Sequence, residues 1–262
     1  MPTGIGGEVG WWCPSLDTSG VGTTTLHDLA GSNNGTLTNM DAATDWVADT
    51  ANGGVRAIDL DGGDDFITCG YSPIFDLALV KTVTAWIYAR AYDGAFQAND
   101  IINTDNITGV RAWQMNAFDL NNNDTDAILN VFSFGTGGGY RDIRSSTEIL
   151  ATNRWHFIAF TTPDRLATVS EIKLYVDGVQ VGTTDASSGT FGVANTLATG
   201  NTLNIGRRPG TSGHDLHFNG LVDDVRLFHR VLSASEIAAL YVRGYQLPSN
   251  TRRRRYAGAY GL

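Results

Sequence analysis

Two segments far apart in the sequence carry oxygen ligands of the kind that Ca²⁺ prefers. Residues 28–35 form a short loop that ends in glycine, and Ca²⁺ takes six to eight oxygens from carboxylates and carbonyls on such loops. The oxygen-bearing side chains are those of Asp28, Ser32, Asn33 and Asn34. Asp223 lies in an apolar strand, with the same predicted facing as Leu221, Val225 and Leu227. Because an unpaired buried carboxylate is unfavourable, a cation or several donors must satisfy it. These residues therefore bind a metal, or they cap turns and accept backbone N–H groups.

A second acidic cluster lies at residues 59–65, where four aspartates occur within seven residues. They are Asp59, Asp61, Asp64 and Asp65. They could hold a cation, but the spacing lacks the acidic residue that ends an EF-hand loop. Two alternating apolar segments, 56–60 and 65–69, flank the pair Gly62-Gly63. We interpret this pattern as a solvated hairpin turn.

The sequence contains no arrangement typical of a catalytic site. Retaining glycosidases need two carboxyl groups close together, whereas the four glutamates are far apart in sequence. They are Glu8, Glu148, Glu171 and Glu236. The one histidine cluster, His214 and His217 with Asp215, suggests no fourth zinc ligand. A nucleophile elbow and a metalloprotease helix are also missing. The sequence predicts a protein that binds a partner and is not an enzyme.

Alternating apolar runs separated by turn residues predict many short strands. The clearest hairpin is 172–181, where Asp177-Gly178 supplies the positive φ angles of a two-residue turn. Residues 83–89 are apolar on both faces, which indicates a central strand covered on both sides. Further strands are predicted at 9–13, 100–104, 110–118, 127–134, 154–161, 203–206 and 221–228. One short helix is predicted at 234–242, after a capping box of Ser233 and Glu236. This pattern predicts an all-β fold, a two-sheet antiparallel jelly-roll sandwich with one short C-terminal helix.

Composition limits the possible partners and compartments. The 262 residues suit one large all-β domain, and a net charge of −9 disfavours nucleic-acid binding. No run of 18 apolar residues occurs, so membrane insertion is not expected. The first residues lack the basic and apolar regions of a signal peptide. Cys13 and Cys69 are therefore expected to be buried free thiols, and a disulfide between them is the alternative.

Four segments, in their order along the chain, resemble the laminin G-like jelly rolls of the concanavalin A-like lectin/glucanase superfamily. They are 28–37, 60–67, 154–160 with 174–178, and 220–228 with 232–237. The last segment, which begins Gly220-Leu221-Val222-Asp223-Asp224, is the most specific of the four. The resemblance covers about residues 8–247. It implies two curved sheets, one structural Ca²⁺, and a role in binding glycans or proteins rather than an activity.

The same resemblance assigns the implied calcium to particular residues. It carries the metal role onto Asp28, Asn33 and Asp223, with Asp224 as the alternative from that pair. A structural Ca²⁺ is thus expected where the 28–35 loop meets the strand that contains Asp223.

A narrower likeness concerns residues 11–16, 35–41 and the arginine-rich end. Together they resemble jelly rolls encoded in marine bacterial, phage or prophage genomes. This likeness favours a structural or adhesive virion protein, a capsid decoration or tail-associated module located in the virion. The alternative is a glycan-binding module of a bacterial cell-surface or secreted protein. Loop aromatics could then stack on sugar rings, or they could pack locally; they are Tyr71, Tyr140 and Phe191.

The last fifteen residues are predicted to form an assembly arm, 248–262, outside a domain that spans 1–247. After a polar linker the arm carries four consecutive cations: Arg252, Arg253, Arg254 and Arg255. Arginine pairs bidentately with carboxylates, and the acidic remainder of another copy supplies them. The sequence therefore predicts a homo-oligomer, or docking on an acidic virion partner. The alternative is a solvated tail.

Overall fold

The computed structural model describes residues 5–49, 55–92, 98–105, 112–121, 124–209 and 216–243. Its elements are β1 (Glu8–Trp12), β2 (Thr25–Leu26), β3 (Gly35–Thr38), β4 (Trp46–Asp49), β5 (Val55–Asp61), β6 (Phe66–Thr68), β7 (Thr82–Ala89), β8 (Ala98–Asn103), β9 (Trp113–Phe118), β10 (Asp126–Phe134), β11 (Tyr140–Ser145), β12 (Leu150–Ala151), β13 (Trp155–Thr161), β14 (Lys173–Val176), β15 (Val179–Gln180), β16 (Thr183–Asp185), β17 (Asn204–Ile205), β18 (Arg207–Arg208), β19 (Leu216–His217), β20 (Asn219–Phe228) and α1 (Ala234–Arg243).

Most of these strands belong to two large antiparallel sheets. The eight-stranded sheet has the order β15-β14-β13-β7-β20-β5-β4, with β1 beside β20. The ten-stranded sheet has the order β16-β11-β10-β9-β8-β17-β6-β3-β2, with β12 beside β10. β18 and β19 form a separate two-stranded sheet. The predicted fold, a two-sheet antiparallel sandwich with one short helix, is confirmed.

The core lies between the sheets and is built from alternate residues of the strands. On β7, which runs between β13 and β20, Val83, Ala85 and Ile87 point into this core. Trp86 points to the opposite side, into a second apolar cluster with Phe157. The prediction that this strand is central and covered on both sides is confirmed.

Helix α1 covers the outer side of the eight-stranded sheet. The predicted capping box is present, because Ser233 N–H donates to Glu236 Oε2 at 2.9 Å and Glu236 N–H donates to Ser233 Oγ at 3.3 Å. Ile237 and Tyr241 bury the inner side of the helix against Trp86. This contact fixes the helix on the sheet. In the part of the chain that the structure describes, no helix is long and apolar enough to cross a membrane.

The hairpin predicted at Asp177-Gly178 is also present. The φ angles of these two residues are 51° and 80°, and β14 pairs with β15 in antiparallel register. A Cβ atom at Gly178 would lie 2.8 Å from the ring of Tyr241. Glycine is therefore required here both by the turn and by the approach of α1.

The hairpin predicted around Gly62-Gly63 is wrong. β5 pairs with β4 and β20 in one sheet, whereas β6 pairs with β3 and β17 in the other. The turn therefore carries the chain across the edge of the sandwich. Two alternating segments joined by a glycine turn have the same local pattern in either case. Only the choice of pairing partners separates a hairpin from a corner.

The predicted facing of Asp223 is right relative to Leu221 and wrong relative to Val225 and Leu227, because β20 contains a β-bulge. The register between β20 and β7 shifts between Asp223 and Arg226, and Asp224 has a φ of 52°. The extra residue changes the alternation of the strand. Val222 and Val225 consequently both belong to the core, while Asp223 lies on the outer side of the sheet.

Cys13 and Cys69 are both buried and free, as expected from the sequence. Burial raises the pKa of both thiols well above the usual value. A neutral buried thiol packs as a small apolar side chain.

Candidate functional site

One face of the ten-stranded sheet is polar, although the sheet belongs to a sandwich with an apolar core. In β9 and β10, Met115 and Val131 point into that core. Successive side chains of a strand point to opposite faces, so Asn116 and Asn130 point to the other side. We call this side, formed by β8, β9, β10 and β11, the polar face.

The strand register places the side chains of the polar face in two cross-strand rows. The first row runs from β8 to β11 through Asp100, Asn116, Asn130 and Arg144. The second row consists of Asn103, Gln114, Phe132 and Asp142. Neighbours in a row are close enough to interact directly. The two rows bring together side-chain groups from four strands that are well separated in sequence.

Six polar side chains of these rows have almost no contact with solvent. They are Asp100, Asn103, Gln114, Asn116, Asn130 and Asp142. Buried polar groups in folded proteins nearly always have hydrogen-bond partners, because desolvation is otherwise uncompensated. The partners of each side chain therefore reveal which groups serve the fold.

At the β10–β11 end, the polar groups satisfy one another. Arg144 binds Asp142 in a bidentate pair, with Nε–Oδ1 and Nη2–Oδ2 distances of 2.9 and 2.5 Å. Asn130 Nδ2 also donates to Asp142 Oδ1, at 2.7 Å. The hydrogen bond to Asp142 raises the pKa of Arg144 above its usual value. This end of the face thus carries a compensated ion pair.

The β8–β9 end is only partly satisfied. Gln114 Nε2 donates to Asp105 Oδ2 at 2.7 Å, and Asn103 Nδ2 donates to Asp100 Oδ1 at 3.3 Å. The second oxygens of two neighbours, Asp100 Oδ2 and Asn116 Oδ1, are buried and accept no hydrogen bond from the described residues. Burial raises the pKa of Asp100 to about 7, while nearby Arg208 opposes the rise.

An aromatic shelf adjoins the two rows. It consists of Phe132, Phe134 and Tyr140, which are all partly exposed. The rings of Phe132 and Tyr140 stack with centroids 5.2 Å apart, and Phe134 meets Phe132 edge to face at 5.2 Å. Partly exposed rings beside hydrogen-bonding groups suit a ligand with both apolar faces and hydroxyl groups.

Of the loop aromatics singled out in the sequence, Tyr140 belongs to the aromatic shelf. Phe191 packs under the guanidinium of Arg141, whose central carbon lies 4.7 Å from the ring centre. Tyr71 is exposed. The other shelf rings, Phe132 and Phe134, were not identified from the sequence.

The predicted calcium ligand Asp28 accepts hydrogen bonds from the chain itself. Its Oδ1 accepts the N–H groups of Trp11 and Ala30 at 2.9 and 3.0 Å. Its Oδ2 accepts the N–H of Asn33 at 3.1 Å. The backbone carbonyl of Asn33 in turn accepts a hydrogen bond from Trp12 Nε1 at 2.9 Å. Asp28 therefore caps the 28–35 loop and ties it to β1.

The two predicted ligands on β20 have different surroundings. Asp224 is held by Arg226 in a bidentate pair at 2.9 Å and also accepts from Trp11 Nε1 at 2.7 Å. Asp223 is fully buried beside Cys13 Sγ, 3.6 Å from its Oδ1, and Ser15 Oγ, 3.4 Å from its Oδ2. A Ca²⁺ ion at these residues would have to displace some of these contacts.

Among the described residues, one group of three acidic, histidine or cysteine side chains has all its ligand atoms within 4.8 Å. It is Asp61, Asp64 and Asp65, in the turn between β5 and β6. Asp61 and Asp64 are exposed, as expected for a solvated turn, whereas Asp65 is buried. Burial and the neighbouring carboxylates raise the pKa of Asp65 to about 6.

The structural Ca²⁺ at Asp28, Asn33 and Asp223 or Asp224 stays a prediction of the sequence. If this site exists, Ca²⁺ should raise the melting temperature Tm and a chelator should reverse the shift, because a ligand bound only by the folded state stabilises that state. Thermal melts of the chain and of Asp223→Asn, each with Ca²⁺ and with chelator, provide the measurement. Equal Tm values for the unsubstituted chain in both buffers would contradict the site.

The predicted assembly arm, with Arg252, Arg253, Arg254 and Arg255, lies outside the described residues. So do His214 and Asp215 of the histidine cluster, while His217 is on β19. The residues of the polar face were missed by the sequence reasoning. The alternation of Gln114, Met115, Asn116 and Ala117 was a signal that one side of β9 is polar.

Comparisons with known proteins agree with the architecture. The profile of the concanavalin A-like lectin/glucanases superfamily matches residues 61–238. No curated protein sequence matches the chain.

Solved structures with the same fold include domain 4 of an extracellular arabinanase from Geobacillus stearothermophilus, in complex with arabinotriose. It has 16% identity and a TM-score of 0.57, over 90% of this chain and 98% of that domain. The binding domain of botulinum neurotoxin serotype D has 14% identity and a TM-score of 0.55, over 91% of this chain and 52% of that one.

The Trypanosoma rangeli sialidase has 15% identity and a TM-score of 0.57, over 93% of this chain and 34% of the sialidase. This chain thus spans about half of the toxin structure and a third of the sialidase. At such identities these structures share the fold, and function does not follow from fold. The profile match covers more than half of the chain, and the chain belongs to the concanavalin A-like lectin/glucanases superfamily.

Proposed function

We propose that this protein is a non-catalytic carbohydrate-binding module and that its polar face is the binding surface. The observation that carries the proposal is the combination on one face of carboxylate, amide and guanidinium groups with an aromatic shelf. Hydroxyl groups of a sugar both donate and accept hydrogen bonds, and the C–H faces of its ring pack on aromatic side chains. The aromatic shelf and the guanidinium of Arg144, which are partly exposed, offer partners for both.

The arabinanase domain supports this proposal, because its structure was determined with arabinotriose and it matches this chain over nearly its full length. The shared fold alone does not transfer the ligand. The particular sugar must therefore be found from the side chains of this chain and by experiment.

The contacts of the three carboxylates on or beside the polar face support a non-catalytic role. Glycoside hydrolysis needs two carboxyl groups free to act on the substrate from opposite sides of the bond. Asp142 is held by Arg144 and Asn130, and Asp105 accepts from Gln114 and from a backbone N–H group. Asp100 has an oxygen without a hydrogen bond from the described residues. At most one of the three carboxylates is therefore free to act, whereas a catalytic pair needs two.

Replacing Phe132 by alanine tests the proposed surface. We expect the full chain to bind at least one class in a panel of arabinan, galactan, xylan, glucan and sialylated oligosaccharides. Phe132→Ala should weaken that binding at least about fivefold, because an aromatic contact contributes roughly 1 kcal/mol beyond its buried area. Isothermal titration calorimetry measures the change.

Tyr88→Ala is the matched control for this experiment. Tyr88 is a partly exposed aromatic residue on β7 of the other sheet, where it meets Trp155 edge to face. Its removal should leave glycan affinity unchanged. If Phe132→Ala binds as tightly as the unsubstituted chain, or if Tyr88→Ala loses the binding, the polar face is not the binding surface.

The more specific expectations from the sequence also remain proposals. They are a structural or adhesive role in a virion, a homo-oligomer and docking through residues 248–262. A glycan-binding module is the alternative that the polar face favours.

A further inference from the structure

Three buried polar atoms without hydrogen-bond partners among the described residues meet at the β8–β9 end of the polar face. Two are acceptors, Asp100 Oδ2 and Asn116 Oδ1, and one is a donor, Arg208 Nε. Asp100 and Asn116 face each other across β8 and β9. Arg208 Nε lies 3.9 Å from Asp100 Oδ2, which is too far for a hydrogen bond.

Such a group of atoms is unfavourable for the fold alone. Asp100 is 0% exposed and Asn116 is 2% exposed, so solvent does not replace the missing partners. A buried donor or acceptor without a partner destabilises the folded state. The neighbouring polar side chains on the same face, such as Asn130 and Asp142, are paired. The three open atoms therefore point to a ligand that completes them.

The charges and hydrogen-bonding roles of the three groups determine the chemical class of that ligand. A cation would be attracted by the two acceptors but repelled by the guanidinium of Arg208. An anion would be attracted by Arg208 but repelled by Asp100 when that carboxyl is ionised, which with a pKa of about 7 is its main form at pH 8. A neutral hydroxyl group donates one hydrogen bond and accepts others, so two adjacent hydroxyl groups match all three atoms.

Nearby charges do not change this selection. Arg144 is neutralised by its bidentate pair with Asp142. Asp105, beside Asp100, accepts from Gln114 and Ala112. Arg208, on β18, has a side chain that is 20% exposed, whereas the side chain of Asp100 beside it is 0% exposed. A ligand would reach Asp100 only if the Arg208 side chain rotated outward.

We propose that Asp100, Asn116 and Arg208 form an inner subsite that accepts adjacent hydroxyl groups of a neutral sugar and disfavours acidic sugars. This inference rests on the proposed carbohydrate-binding function and names its ligand class. The aromatic shelf would then hold a neighbouring part of the same oligosaccharide.

Calorimetry at pH 8 with arabinotriose, galactotetraose and trigalacturonate tests the subsite. We expect at least one neutral oligosaccharide to bind at least tenfold more tightly than trigalacturonate. Asn116→Ala and Asp100→Asn should each weaken that neutral sugar at least tenfold. Asn116→Ala removes an open acceptor, the contact of Nδ2 with Gln114 Oε1 at 3.3 Å, and the side-chain hydrogen bond between Asn116 and Asp100. Gln180→Ala is the amide control, on the exposed edge strand β15 of the other sheet.

The outcomes separate the subsite from the proposed function. If Phe132→Ala weakens a neutral sugar but Asn116→Ala and Asp100→Asn do not, the three atoms hold an ordered water only. The subsite is then overturned while the carbohydrate-binding function stands. Trigalacturonate binding as tightly as the neutral sugars overturns the ligand class. If no oligosaccharide binds the chain, the proposed function itself fails.

Discussion

Replacing Arg226 by alanine is expected to reduce the free energy of unfolding by about 3–5 kcal/mol, the usual effect of breaking a buried ion pair by removing one partner. The side chains of Arg226 and Asp224 are only 1% and 2% exposed. Without the guanidinium, Asp224 would stay buried with one donor, Trp11 Nε1. Urea unfolding at pH 7, followed by far-UV circular dichroism, measures the loss.

The effect is expected to be large because Arg226 joins two strands as well as two charges. Its guanidinium carbon lies 4.2 Å from the centre of the Trp11 ring on β1. Its Nη1 lies 3.8 Å from Glu8 Oε1, also on β1. Desolvated cation–π contacts contribute about 2 kcal/mol or more. Loss of Arg226 therefore weakens the attachment of β1 to β20, and it also leaves the buried Asp224 carboxylate without its ion-pair partner.

Two control variants identify the mechanism. Arg154→Ala removes an arginine that pairs with Asp177 at the surface, where the two side chains are 49% and 24% exposed, and exposed pairs contribute about 0–1 kcal/mol. The double variant Asp224→Asn with Arg226→Met removes both charges, and asparagine tolerates the positive φ at position 224. It should recover most of the lost stability. A loss below about 1 kcal/mol for Arg226→Ala would contradict the buried-pair account.

This pair also shows how far the sequence predicted β20. The strand was recognised from its apolar pattern, and Asp223 was recognised as a buried carboxylate that must find partners, with Asp224 as the alternative metal ligand. The bulge was not predictable, because one extra residue in a strand leaves the local pattern almost unchanged. The alternation was therefore followed through the pair without a break. That assignment placed Asp223 on the same side of the sheet as Val225, and it did not reveal Arg226 as the partner of Asp224.

The sequence predicted the elements well where the interactions that form them lie between residues close together in the chain. The capping box of Ser233 and Glu236 places the start of α1, and Asp177-Gly178 requires a two-residue turn. Both features depend on residues within a few positions of one another. The corner at Gly62-Gly63 depends on partners from four other strands. The sequence alone could not distinguish it from a hairpin.

The polar face lies between these two cases. Alternation in β9 indicates that Gln114 and Asn116 share a side, so the polarity of one strand was available from the sequence. The rows depend on the register of four strands. Asp100 joins Asn103 on the same face only because the β8–β9 register shifts between Asp100 and Ile102. Plain alternation would have placed these two residues on opposite faces, and the inner subsite could not have been predicted.

The carboxyl of Asp100 is expected to make the protein less stable as the pH rises from about 4 to about 7. Its pKa is raised from 3.8 to about 7, chiefly by burial. In that range the folded state keeps a proton that the unfolded chain has released, so the free energy of unfolding falls with increasing pH. A shift of this size corresponds to a loss on the order of 4 kcal/mol, at about 1.4 kcal/mol per pKa unit.

The variant Asp100→Asn isolates this effect, because an amide has the shape of the carboxyl without its titration. Urea unfolding at pH 4, 5.5, 7 and 8.5 should give equal stabilities at pH 4 and a more stable variant at pH 8.5. Asp65, whose pKa is raised to about 6, is present in both proteins and cancels in the difference. A difference that does not change with pH would show that Asp100 titrates normally.

The same variant connects stability with binding. Function can require residues that lower stability, so a destabilising buried carboxyl is consistent with a binding role. The Asp100 carboxylate forms stronger hydrogen bonds with hydroxyl donors than the neutral acid does. We therefore expect Asp100→Asn to be more stable at pH 8.5 and to bind the neutral sugar more weakly. If it is more stable and binds equally well, Asp100 is not part of the sugar site.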